Sequence, residues 1–263
     1  MNLLGILLLL FIFVWLIIIK TYNWFSMYLF YLILTAIILV CVIVHLIKNP
    51  HLCLYPYNYY VEKVYGKKVF YSDQEKTDIF PSSVLLESNY QKIREEFDNL
   101  CSVNNDEENM WSNFSEGSDE FWKGWNTIVL RSFGKDNTPN MKLCPTLAKI
   151  LKKDSNITTA IFSILEPGKT LHPHYGPFKG VLRYHMGIIV PPPSSGECYI
   201  SVDGIDYDWK EGQGVLFDES YKHFATNQTD QRRVILFLDV KRPNMSLFND
   251  ILLYLISISP YNL

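Results

Sequence analysis

The chain has 263 residues, with 24 Lys and Arg against 27 Asp and Glu and a formal net charge of -3, a balance that excludes nucleic acid as a general partner. Its five cysteines, Cys41, Cys53, Cys101, Cys144 and Cys198, form no CxxC pair, which excludes a zinc ribbon and a disulfide framework. The length holds one globular domain of ordinary size with residues to spare.

The spare residues are N-terminal. Leu3 to Ile19 is continuously apolar, and Tyr28 to Ile47 is apolar apart from Tyr, Thr and His. The second run meets the ~20-residue requirement for spanning a bilayer and the first is at its short end. No Lys or Arg precedes Leu3 and no small-residue cleavage site follows Ile19, against the pattern of a cleaved signal peptide. The expectation is a membrane anchor over residues 1–50, with two transmembrane helices at about 3–19 and 28–47 joined by Lys20–Ser26. Lys48, Lys63, Lys67 and Lys68 outnumber the single Lys20 of that loop, so the positive-inside rule puts the rest of the chain on the cytosolic face. An integral membrane protein with the lipid bilayer as a partner is therefore expected. A single spanning run would give the lumenal orientation instead. Sequons at Asn113, Asn156, Asn227 and Asn244 bear on the lumenal case alone.

Residues 51–78 read as an irregular, aromatic-rich linker. Pro81 then introduces an amphipathic helix, with Leu86, Tyr90, Ile93, Phe97 and Leu100 at three- and four-residue spacing. Asn104 to Glu120 is polar and reads as a loop, Trp122 to Phe133 as a strand, and Cys144 to Leu151 as a short helix opened by Pro145. From Ile157 the pattern turns to strands: Ile157–Leu165, Leu182–Val190, Glu197–Val202, Ile205–Trp209, Gly214–Asp218 and Arg233–Val240, with Gly-, Pro- and Asp-containing turns between them. Short strands so punctuated argue a sandwich or jelly roll. The domain expected is 79–245, followed over 246–263 by a C-terminal helix that covers a barrel edge or lies on a membrane.

Two histidines stand near this strand-rich region, His174 before one strand and His223 after another. Non-haem iron is held by two histidines and a carboxylate with positions left open. The place for an H-x-D carboxylate is Gly176, and the nearest spare acids are Asp218 and Glu219. Two protein ligands bind a metal weakly, so occupancy would depend on a chelating co-substrate. Arg233 opens the apolar run Val234–Leu238, where an arginine is costly unless an anion pairs with it, and a carboxylate is its bidentate match. Ser163 could add a hydroxyl to that anion. Arg183 and His185 alternate on one strand and so share a face; they could hold a second carboxylate. The structural readings stand beside these: either histidine as a hydrogen-bonded residue, Arg183 and Arg232 as barrel-edge charges, His172 and His185 as supporting groups, Asp218 as a turn cap.

The blocks His174-Tyr-Gly-Pro177, Leu182-Arg-Tyr-His-Met-Gly-Ile-Ile-Val-Pro191, Trp209-Lys-Glu-Gly212, Phe217-Asp-Glu-Ser-Tyr-Lys-His223 and Arg233-Val-Ile-Leu-Phe-Leu-Asp-Val240, with Pro243 after them, resemble the aspartyl/asparaginyl β-hydroxylase family. The resemblance covers about Ile79 to Pro243. It implies a mainly β fold, a double-stranded β-helix (jelly roll, cupin-like) with flanking helices, here preceded by the two transmembrane helices. It also implies Fe(II) and 2-oxoglutarate as cofactor and co-substrate. His174 and His223 then correspond to the metal ligands and, with Arg233, to the catalytic set. Ser163 and Arg233, with Arg183 and His185, correspond to co-substrate contacts. Gly176 is shared with the peptide-hydroxylating branch. Pro177–His185 and Cys198–Gly204 are closer to the lipid A acyl-chain hydroxylase branch, which often keeps a carboxylate at that place. The expected function is a membrane-anchored dioxygenase that hydroxylates an Asp/Asn side chain of a protein or an acyl chain of a membrane lipid. Its rival is a jelly-roll binding or scaffold domain without turnover.

Overall fold

The computed structural model describes residues 7, 9–15, 24–48, 51–103, 124–243, 245 and 247–257. The chain divides into two compact units, Met1–Cys53 and Leu54–Leu263.

In the first unit residues 9–15 are helical and α1 runs over Trp24–Lys48. Trp15 Nε1 donates to the Tyr31 hydroxyl at 3.2 Å, and the rings of Phe11 and Phe30 stack at 6.4 Å. Among the described residues no helix is long and apolar enough to cross a membrane. That finding overturns the two expected transmembrane helices and the integral-membrane localisation built on them.

The second unit begins in α2 (His51–Tyr65), so residues first read as an irregular linker are helical. α3 (Asp73–Ile79) follows, opened by a capping box between Ser72 and Glu75. The single amphipathic helix expected after Pro81 is two, α4 (Ser82–Ser88) and α5 (Tyr90–Val103). They part at Asn89, whose amide donates to Leu85 O at 2.8 Å and so competes with the helical ladder. Strands β1 (Trp125–Ser132) and β2 (Lys135–Asp136) lead to α6 (Thr138–Leu143) and α7 (Pro145–Lys153). The Glu96 carboxylate on α5 accepts from the Thr146 and Leu147 amides and caps α7. There follow β3 (Ile157–Leu165), β4 (Lys169–His174), β5 (Val181–Ile189), β6 (Cys198–Val202), β7 (Ile205–Asp208), β8 (Gly214–Phe217), β9 (His223–Asn227) and β10 (Arg233–Lys241), then α8 (Leu247–Ser257).

The strands form two antiparallel sheets, β2-β1-β3-β10-β5-β8 and β4-β9-β6-β7. This is the mainly β, jelly-roll-like architecture with flanking helices. The period-2 pattern divides each central strand between two cores. Val234, Leu236, Leu238 and Val240 of β10 face a core with Phe162 of β3, Tyr184 of β5 and the helical residues Leu86, Ile93, Phe97 and Leu147. Ile235 faces a second core with Leu171 of β4, Ile200 of β6 and Ala225 of β9, and Phe237 packs against it. The six-stranded sheet is thus a middle layer with helices on one face and the smaller sheet on the other. The β6–β7 hairpin turns at Asp203 and Gly204, both at positive φ (51° and 80°), as a two-residue primed turn requires. α8 packs with α2 over Phe178 and Val181.

Candidate functional site

β4 and β9 pair so that His174, the last residue of one, faces His223, the first of the other. The register slips between Leu171 and His174, a bulge of the kind that re-aims a side chain. The two imidazole centroids lie 4.2 Å apart. His174 Nδ1 is 2.8 Å from His172 O, and His223 Nδ1 is 2.9 Å from Tyr221 O. A carbonyl only accepts, so each Nδ1 carries the proton and each Nε2 presents its lone pair. Burial holds both rings neutral: it lowers the pKa of His174 and, reinforced by His174, brings that of His223 to about 3. Two neutral imidazoles with Nε2 lone pairs are the form a metal ion takes.

Gly176 brings no ligand, and a Cβ there would collide with the Glu219 carboxylate. Among the described residues no group of three or more His, Cys, Asp or Glu is arranged to hold a metal. Glu219 is 3% exposed and engages Arg183 Nη1 at 2.5 Å. Burial raises its carboxyl pKa and the Arg183 guanidinium opposes the rise. Arg183 also donates through Nε and Nη2 to Asp239 at 3.1 and 3.0 Å and stacks on Phe237. Two carboxylates already engage this guanidinium.

Between the sheets lies a cavity of roughly 60 Å³, lined by His174, His223, Arg183, His185, Ser163 and Arg233 together with Trp125 and Trp209. All six residues singled out from the sequence therefore meet in one place. Arg233 is 1% exposed, and its Nε and Nη2 have no partner among the described residues. Burial lowers its pKa to about 10. Ser163 stands on β3 beside it, and its hydroxyl accepts from Trp125 Nε1 at 2.8 Å, leaving its own proton for another acceptor. His185 is buried among Phe217, Phe237 and Trp209, and both its ring nitrogens lack a partner among the described residues. Burial, then the cations Arg183 and Arg233, press its pKa well below the ordinary value.

Other candidates fall outside the cavity. His172 and Arg232 are exposed. Asp218 does cap its turn, accepting from Ser220 N and Oγ, but it also binds Arg242 at 2.7 Å and Lys179 at 3.4 Å in a buried network. Sequence reasoning missed Trp125 and Trp209 as lining residues and Asp239 as a partner of Arg183; no motif marked them as such. Of the sequons, Asn227 is fully buried and its amide donates to Leu165 O and Gln231 O, so the folded chain cannot carry a glycan there. Asn156 is exposed, and Asn113 and Asn244 lie outside the described residues.

A family profile described as aspartyl/asparaginyl beta-hydroxylase matches residues 87–243. An ornithine lipid ester-linked acyl 2-hydroxylase of Rhizobium tropici is 38% identical over 172 residues, covering 64% of this chain and 59% of that protein. Aspartate beta-hydroxylase domain-containing protein 2 of Homo sapiens is 30% identical over 192 residues, covering 67% and 48%. The chain thus spans about half the length of the curated relatives it matches. A Pseudomonas putida prolyl-4-hydroxylase structure overlaps 62% of this chain and 100% of its own with a TM-score of 0.43 at 12% identity, a likeness that carries no argument.

Proposed function

The chain belongs to the aspartyl/asparaginyl β-hydroxylase family, and from that membership we propose that it is a Fe(II)- and 2-oxoglutarate-dependent dioxygenase that hydroxylates a C–H bond. The observation that carries the reading is Arg233: a fully buried cation whose Nε and Nη2 have no hydrogen-bond partner among the described residues, in the cavity that also holds two neutral, pre-oriented imidazoles. A buried charge left unpaired is strongly unfavourable, so the cavity is built for an anion. A dicarboxylate long enough to reach from Arg233 to an ion on His174 and His223 meets both requirements.

The residues present fit such an ion. His174 and His223 would hold Fe(II), and the missing third protein ligand leaves positions for a chelating 2-oxo acid. When bound, the pair supplies oxygen activation, with 2-oxoglutarate converted to succinate and CO2. The chain supplies the rest. The carbonyls of His172 and Tyr221 fix the imidazole tautomers. Arg233 and Ser163 clamp the remote carboxylate, and Phe217, Phe237 and Ile235 keep the cavity dry. Arg183 holds Glu219 and Asp239 and steadies the turn that leads to His223.

The substrate is an Asp/Asn side chain of a protein or an acyl chain of a lipid, and one observation favours the acyl chain. Arg183 already meets two carboxylates, so a substrate carboxylate arriving there would face like charge. The test is succinate formation from 2-oxoglutarate by the full chain with Fe(II), in the presence of acyl lipids or of Asp- and Asn-containing peptides. Lipid-stimulated turnover absent in His174→Ala is expected. Turnover that persists in His174→Ala, or no turnover with any substrate class, would overturn the reading.

A further inference from the structure

Trp209 directly follows β7 and its indole is 3% exposed. It lines the cavity, yet its Nε1–H has no hydrogen-bond partner among the described residues. Buried N–H groups without an acceptor are costly and uncommon. Packing alone does not account for the indole, because a phenylalanine ring would fill much of the same space without leaving a donor stranded.

The Arg233 guanidinium lies 4.7 Å from the Trp209 ring centroid. That cation–π contact uses the face of the ring and leaves the N–H at its edge, as well as Arg233 Nε and Nη2, without acceptors. Indole and guanidinium are both donors only, so neither can serve the other. The partner missing from both is an acceptor, and a neutral water would satisfy the indole while leaving the buried charge uncompensated. An anion satisfies both. The Ser163 hydroxyl, with its oxygen engaged by Trp125 Nε1, has its proton for the same acceptor.

The geometry points to Trp209 as a binding residue for the remote carboxylate of a dicarboxylate, its Nε1–H donating from the end of the smaller sheet while Arg233 and Ser163 act from the larger one. This rests on the dioxygenase reading above. The carboxylate is then gripped from both sheets, so its seat depends on their spacing and not on one strand alone.

The test compares the full wild-type chain with Trp209→Phe, each loaded with Mn(II) to prevent turnover. It measures 2-oxoglutarate affinity by calorimetry and the melting temperature without ligand. Trp209→Phe keeps an aromatic ring against Arg233 and removes the donor. The expected result is about a tenfold loss of affinity, the size of one charge-assisted hydrogen bond, with the ligand-free melting temperature unchanged or higher. Unchanged affinity would overturn the inference and leave the dioxygenase reading standing. So would affinity and melting temperature falling together, the mark of a packing role. Wild-type protein that binds no 2-oxoglutarate would overturn both. Should Trp209→Phe not fold, Trp125→Phe loaded with diamagnetic Zn(II) carries the test, because Trp209 is then the described indole lining the cavity. Its N–H resonance shifts downfield on addition of 2-oxoglutarate, and a resonance that stays in place overturns the inference.

Discussion

Arg233 shows how one residue can be out of place in a sequence and explained by a structure. It opens β10 on the face that Ile235 and Phe237 share, with its guanidinium buried and two nitrogens without a hydrogen-bond partner among the described residues. If its charge awaits an anion, Arg233→Met should abolish 2-oxoglutarate binding while leaving the ligand-free chain as stable or more so, because a desolvated charge is replaced by an apolar side chain of similar length. Calorimetry and thermal melting check the two halves. Gly176 gives the opposite case, a place where nothing can be added. A Cβ there meets the Glu219 carboxylate, which Arg183 holds in place. Gly176→Ala should therefore destabilise by about 1–3 kcal/mol, measured by denaturant unfolding. A neutral result would mean that Glu219 moves freely. Arg233 was legible in the sequence because a charge at the head of an apolar run is an anomaly. The partners of Arg183 were not, because Asp239 meets it across the β5–β10 register and Glu219 from the turn after β8, pairings that only the folded sheet makes.

The strands that carry the two histidines are short and polar. β4 is Lys-Thr-Leu-His-Pro-His and β9 is His-Phe-Ala-Thr-Asn, and neither shows the alternation that marked β3, β5 and β10 in the sequence. Each is stabilised by the other, across a register that a bulge resets, so their existence is a tertiary fact that local pattern does not report. The Asn89 break between α4 and α5 escaped the periodic reading for a similar reason: the apolar spacing continues through it while one amide diverts a carbonyl. The turn from β8 to β9 is held by Asp218, bonded to Ser220, Lys179 and Arg242. Asp218→Ala deprives the buried Arg242 of its carboxylate and leaves Lys179 with Glu62, and should cost roughly 3–5 kcal/mol. It should also weaken metal retention, since His223 ends that turn. Denaturant unfolding and metal analysis test the two effects separately, and retention equal to wild type would show that the turn does not position His223.

At the scale of the whole molecule, the fold class was readable from strand punctuation, whereas the membrane spans read from apolar runs were overturned by the described helices. Hydropathy along the N-terminal chain did not decide what the helices there can do. The unit Leu54–Leu263 contains the cavity and both its sheets. It also contains most of α2, where Asn58 accepts from Lys179 N at 2.9 Å and donates to Pro177 O at 2.8 Å, bracing the segment that follows His174. A chain starting at Leu54 should fold in one transition and bind 2-oxoglutarate as the full chain does. One starting at Lys67 loses that brace and the Leu54–Phe178 packing, and should melt several degrees lower with weaker binding.

If an ion rests on two imidazoles and a co-substrate clamped by Arg233, iron retention should depend on all three. The full chain would be loaded with Fe(II) under anaerobic conditions, with or without 2-oxoglutarate, and desalted before iron is measured per chain. Near-stoichiometric iron is expected with 2-oxoglutarate, little without it, and little in His174→Ala or Arg233→Met under either condition. Iron retained equally without 2-oxoglutarate, or retained by His174→Ala, would contradict that arrangement.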